Sequence, residues 1–93
     1  MIAWRLIIRG RVQGVGYRYA MIDAAQALDI AGWVRNRRDG AVEAFVQGEP
    51  AAIDAILAWC RHGPPSARVS AVDTTVVQTD HAIDTFEHRR TEP

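Results

Sequence analysis

The run Gly10-Arg11-Val12-Gln13-Gly14-Val15-Gly16-Tyr17-Arg18 is the first part of this chain with chemistry to offer. Gly14 and Gly16 can adopt backbone conformations that turn successive N–H groups inward, forming a concave anion nest. A helix leaving the run would point its unpaired first-turn N–H groups the same way, with the positive end of its dipole behind them. Arg18, inside that turn, adds a planar fork of donors matched to phosphate oxygens. The chemistry indicated is anion binding, of a phosphate above all. The same residues also fit a plain strand-to-helix turn with a solvated arginine. The third glycine of a dinucleotide fingerprint is missing, since Tyr19 occupies its place. The second segment of interest is Gly32-Trp33-Val34-Arg35-Asn36-Arg37-Arg38-Asp39-Gly40-Ala41-Val42-Glu43. Taken alone, its Asn36 reads as a hydrogen-bonding residue ahead of a turn.

Composition removes other chemistries. The chain has 93 residues, 48% hydrophobic and 24% charged, enough for one domain with a buried core and unlike a disordered tail. Every basic residue is an arginine. That excludes a Walker-type phosphate loop, a Schiff-base enzyme and a kinase-type catalytic lysine, although codon bias alone would explain the missing lysine. His62, His81 and His88 lack a ligand spacing and read as surface residues, so no metal site is expected. The single Cys60 cannot form an internal disulfide, which favours a reducing, cytoplasmic setting. No apolar run approaches the roughly 18 residues of a membrane helix, and the N-terminus is not laid out as a signal peptide.

Eleven basic groups balance eleven acidic ones, but unevenly. Residues 1–48 hold seven arginines and four acids, residues 49–93 four arginines and seven acids. The first eighteen residues carry Arg5, Arg9, Arg11 and Arg18 and no acid, which makes that region the natural anion site. The zero net charge argues against a bulk polyanion partner.

The elements that must position these residues follow from periodicity. Ile2, Trp4, Leu6 and Ile8 alternate with Ala3, Arg5, Ile7 and Arg9, the pattern of a half-buried strand, which the glycine-punctuated stretch from Gly10 should end. Tyr17, Met21, Ala24, Ala25 and Leu28 recur at helical spacing. A second strand is predicted over 30–37 and a third over 41–47, with Val42, Ala44 and Val46 on one face. Asp39-Gly40 between them predicts a two-residue hairpin turn of the primed type. Pro50 suits the first turn of a second helix, whose stripe is Ile53, Ile56, Leu57 and Cys60 and whose stop is Gly63-Pro64-Pro65. A β-branched strand over 69–77 and a short one within 83–88 close the chain. The expected fold is α+β, a ferredoxin-like βαββαβ sandwich with an antiparallel sheet and both helices on one face. In that plan the first two strands run parallel with the third between them. The glycine loop and Asn36 then share one sheet edge.

At this point the chain resembles the acylphosphatase family. The carrying residues are the whole run from Gly10 to Arg18 and Gly32-Trp33-Val34-Arg35-Asn36, followed by Asp39-Gly40, Val42 and Gly48. Gly63-Pro64-Pro65-Ser66-Ala67-Arg68-Val69 resembles the family's link after the second helix. Tyr17 replaces the phenylalanine more usual before the arginine. The resemblance implies an acylphosphatase that hydrolyses the carboxyl-phosphate bond of small acylphosphates without a metal or other cofactor. It implies that Arg18 binds the phosphate, that the loop backbone of Gln13, Gly14, Val15, Gly16 and Tyr17 shares those contacts, and that Asn36 positions the attacking water. Arg35, Arg37 and Arg38 either raise the local potential or are solvated hairpin charges, the latter being favoured. Trp33 and Trp59 are expected to pack on the sheet and Cys60 in the core.

The competing class is a binding module, since domains of this kind occur inside larger enzymes and ferredoxin-like sheets bind RNA. The strand aromatics Trp4, Trp33, Phe45 and Phe86 form no RNA-recognition motif, so no nucleic-acid partner is expected. The chain is expected to be a complete, monomeric enzyme with a small-molecule substrate, holding inorganic phosphate or another anion in its loop.

Overall fold

A computed structural model describes residues 1–91. The elements in chain order are β1 (Ile2–Arg11), α1 (Tyr17–Ala27), β2 (Ala31–Asn36), β3 (Val42–Gly48), α2 (Pro50–Cys60), β4 (Arg68–Val77) and β5 (Phe86–His88). They form one sheet of order β4-β1-β3-β2-β5. β3 is antiparallel to both β1 and β2, so those two run parallel and their C-terminal ends share an edge, as expected. β4 is antiparallel to β1, whereas the short β5 runs parallel to β2 and makes the sheet mixed. Of the polar ending after Phe86, residues 92 and 93 lie outside the described residues.

Strand alternation decides what each face carries. Register sets Leu6 against Ala44, Ile8 against Val42 and Val34 against Ala44, and these side chains meet both helices in one core. From α1 that core takes Tyr17, Met21 and Ala25, and from α2 Ile53, Ile56 and Cys60, with Leu57 half-buried. Full burial of side chains such as Leu6, Ile8, Met21, Ile53 and Ile56 contributes roughly 1.5–3 kcal/mol each relative to exposure. The helix-free face carries Arg5, Glu43 and Arg35. Trp33 and Phe45 stack there with centroids 6.4 Å apart, and the Arg35 and Arg89 guanidiniums lie over the Trp33 ring. Trp33 thus packs on the sheet, whereas Trp59 packs against Tyr17, centroids 5.3 Å apart.

Local expectations from the sequence are corrected in three places. Strand β1 does not end at Gly10 but runs to Arg11, because the register with β4 shifts between Arg9 and Gly10. Gly10 holds φ 122 there, and a Cβ would stand 2.2 Å from the Arg68 carbonyl oxygen, so only glycine permits the bulge. The β2–β3 connection is not a two-residue primed turn. Arg37 N–H donates to the Ala41 carbonyl at 2.8 Å and Gly40 N–H to the Arg37 carbonyl at 3.2 Å, closing a longer loop in which only Gly40, at φ 93, is left-handed. Asp39 keeps an ordinary φ because its carboxylate accepts from Ala41 N–H at 3.1 Å and from Arg37 Nε. Strand β1, expected to be half-buried, buries Ala3 and Ile7 on the face opposite Leu6 and Ile8 as well.

Candidate active site

The loop between β1 and α1 is built by glycine conformation. Gly14 has φ 73 and Gly16, the N-cap of α1, has φ 80. A Cβ at either would meet nothing within 4 Å, so the backbone angle and not crowding calls for glycine. The α1 N-terminus has no side-chain cap and no acid in its first turn. Its orphan N–H groups therefore face this concavity without a competing carboxylate.

Two anchors hold the loop. Tyr17 is fully buried, and its hydroxyl donates to the Cys60 carbonyl at 2.7 Å, tying the start of α1 to the end of α2. Burial, and secondarily the Cys60 neighbourhood, raises its phenol well above the usual range. The Tyr17 ring also lies where a Cβ on Gly63 would stand, at 2.5 Å. The Gln13 side chain reaches the β2–β3 loop, where its Nε2 donates to the Arg37 carbonyl at 2.7 Å and the Ala41 carbonyl at 2.9 Å. The residues of the β2–β3 hairpin beside Asn36 are thereby fastened to the glycine loop.

Asn36 is the last residue of β2 and pairs with Val42, which pairs with Ile8. It stands on the helix-side face in the same row as Ile8, just before the loop begins. Its Oδ1 is buried, and no hydrogen-bond partner reaches it among the described residues. An unmade hydrogen bond of this kind costs about 1–3 kcal/mol, so the orphan acceptor calls for a functional account. Arg18, half-buried in the first turn of α1, donates through Nη1 to His88 Nε2 at 2.5 Å and lies 5.9 Å from the Tyr19 ring centroid. His88 pairs with Val34, two residues before Asn36 on the same strand face. Arg18, the glycine loop and Asn36 are thus brought to one sheet edge.

Two of the neighbouring arginines are engaged elsewhere. Arg35 points to the helix-free face, where it and Arg5 grip Glu43 at 2.7 and 2.6 Å. Burial pushes the Glu43 carboxyl up, but the hydrogen bonds from Arg35 and Arg5 outweigh it and hold the group below its ordinary value. Arg37 pairs with Asp39 at 3.1 Å, and Arg38 is exposed. His62 and His81 are exposed surface residues as expected. Sequence reasoning missed the contacts of His88 and of the Gln13 side chain. The parallel placement of β5 beside β2, which puts His88 near the loop, leaves no mark in local periodicity. Among the described residues no group of three or more His, Cys, Asp or Glu is placed to hold a metal.

The sequence model of the Acylphosphatase family matches residues 4–88, a span that includes the glycine loop, Asn36 and His88. The chain belongs to the acylphosphatase family. An acylphosphatase of Burkholderia lata is 50% identical over 82 residues, covering 88% of this chain and 84% of that one. One from Anaeromyxobacter dehalogenans is 46% identical over 85 residues, covering 91% of both. The crystal structure of acylphosphatase from Bacillus subtilis superposes with a TM-score of 0.92 at 33% identity, covering 97% of this chain and all of that one. The chain is therefore an acylphosphatase, a hydrolase of carboxyl-phosphate anhydrides, on the ferredoxin-like plan expected from its sequence. No helix among the described residues of this acylphosphatase is long and apolar enough to cross a membrane.

Proposed function

We propose that this acylphosphatase binds the phosphoryl group of a small acylphosphate with Arg18 and the backbone N–H groups of residues 13–18, and that Asn36 orients the attacking water. The observation that carries the reading is the buried, unpartnered Oδ1 of Asn36 beside a loop of unpaired N–H donors. The half-buried Asn36 amide hydrogen-bonds one water at this edge and leaves a water lone pair free for phosphorus. The Arg18 fork and the loop N–H groups stabilise charge on the phosphoryl oxygens, and in-line positioning supplies most of the remaining rate enhancement.

The reaction balances with these groups alone. Water oxygen bonds to phosphorus, the bond from phosphorus to the acyl oxygen breaks, and its electron pair leaves on a carboxylate. Both water hydrogens finish on dihydrogen phosphate. Because the conjugate acid of the leaving group has a pKa of about 4, no strong general acid is required. The enzyme in this reading works without a metal, as a monomer in the cytoplasm.

Purified enzyme should release phosphate from benzoyl phosphate in the presence of a chelator. Asn36→Ala should lose on the order of 10²-fold or more in turnover while inorganic phosphate still inhibits it. Arg18→Ala should lose phosphate inhibition itself. Wild-type-like turnover in Asn36→Ala would remove the residue from the mechanism.

A further inference from the structure

Among the described residues, Arg5, Arg9, Arg35 and Arg37 are ion-paired, whereas Arg18, like Arg11 and Arg68 in the strands, is not. Arg5 and Arg35 share Glu43, Arg9 meets Asp73 at 2.9 Å and Arg37 meets Asp39. Each of those guanidiniums has a carboxylate to offset its charge. Among the described residues Arg18 has no ion pair, and its side-chain hydrogen bond goes to the imidazole of His88. A guanidinium has only donors, so His88 Nε2 must be the acceptor in this contact, with the ring neutral and its hydrogen on Nδ1. Nη1 is engaged in this way, while Nε and Nη2, a fork suited to two phosphate oxygens, remain available. The Tyr19 ring, 6.1 Å from the His88 ring and 5.9 Å from the guanidinium carbon, braces the same pair.

We propose that His88 is a positioning residue for substrate binding: its neutral imidazole holds the Arg18 guanidinium at the loop without cancelling the charge that the phosphate needs. The inference rests on the reading of Arg18 as the phosphate ligand. A carboxylate here would orient Arg18 equally well but would compete with the incoming anion. An apolar residue would leave a long, rotamer-rich side chain to be ordered at the moment of binding, a cost paid in affinity. His88 is exposed at the end of β5, so its replacement does not threaten the core.

The test compares His88→Ala, His88→Gln and His88→Glu in benzoyl phosphate hydrolysis and in inhibition by inorganic phosphate, with Arg18→Ala alongside. Loss of one orienting hydrogen bond predicts that His88→Ala raises KM and the inhibition constant of phosphate about fivefold, with kcat within about twofold. The His88→Gln side chain carries a neutral acceptor at similar reach and should restore both constants. His88→Glu should be worse than His88→Ala at low ionic strength, and the excess should shrink as salt is added. His88→Ala constants equal to wild type, beside a phosphate-insensitive Arg18→Ala, overturn the inference alone. Unchanged phosphate inhibition in Arg18→Ala overturns the reading of the site and the inference with it. His88→Gln as impaired as His88→Ala overturns the claim that a neutral acceptor is what matters.

Discussion

Gln13→Ala separates the scaffolding of this site from its chemistry. The side chain makes two hydrogen bonds, to the Arg37 and Ala41 carbonyls, and is half-buried. Neutral hydrogen bonds contribute about 0.5–1.5 kcal/mol each, with more lost when a buried partner is left unsatisfied. Here neither carbonyl is orphaned, since the Arg37 carbonyl still accepts from Gly40 N–H and the Ala41 carbonyl from Arg37 N–H. The expected loss of stability is therefore at the low end for two bonds, about 1–2 kcal/mol. For a chain of this size that lowers Tm by roughly 5–10 °C. The kinetic effect should exceed what partial unfolding explains. Gln13 joins the loop proposed to hold phosphate to the hairpin beside Asn36, and a misplacement of about 1 Å can cost up to 10²-fold in rate. We expect kcat for benzoyl phosphate to fall about tenfold at a temperature where Gln13→Ala is fully folded, with phosphate inhibition little changed. Differential scanning calorimetry and steady-state kinetics on the same preparation decide it. A Tm loss without a kcat loss would refute the claim that the staple sets the distance between loop and Asn36. Wild-type values for both would refute the contribution of the two hydrogen bonds.

Glu43→Gln should be destabilised by about 1–3 kcal/mol by urea denaturation, because Arg5 and Arg35 lose the carboxylate between them, while kcat stays near wild type since the cluster lies on the helix-free face. The folded Glu43 carboxyl titrates below its ordinary value, so its contribution is complete above about pH 4.5 and is lost as pH falls through the lower folded value; the acid limb of stability should flatten in the variant. Burial raises the Cys60 thiol from 9.0 to about 12. The native chain then keeps a proton that the unfolded chain releases, so stability should fall as pH rises from about 9 towards 12. At pH 8 a disulfide reagent should label Cys60 only at the rate of unfolding.

The legible parts of this protein were those written in local pattern. The 3.6-residue recurrence of Tyr17, Met21 and Ala25, the β-branched run ending at Val77 and Pro50 at a helix start each specify an element through backbone sterics and one-sided burial. The glycine loop was legible because Gly14 and Gly16 adopt the positive φ that glycine alone takes freely. Less was legible where two remote backbones meet. Gly10 looked like a strand end, but the approach of β4 at Arg68 turns it into a bulge. Asp39-Gly40 looked like a two-residue turn, but the Asp39 carboxylate found Ala41 N–H and Arg37, which stabilise a longer loop.

By itself the sequence determined the order of elements, the glycine loop and, through two long motifs at family spacing, the family and its chemistry. It could do so because those features depend on residues near one another along the chain. Tertiary structure alone decided which charges cancel. Arg35 and Asn36 are adjacent in the chain, yet strand alternation sends Arg35 to Glu43 on one face and leaves Asn36 on the other with an acceptor that is unpaired among the described residues. Arg18 and His88 are separated by seventy residues, and the parallel pairing of β5 with β2 is what puts them in contact. Coulombic and hydrogen-bonding partners are set by distance in space, which the fold alone supplies.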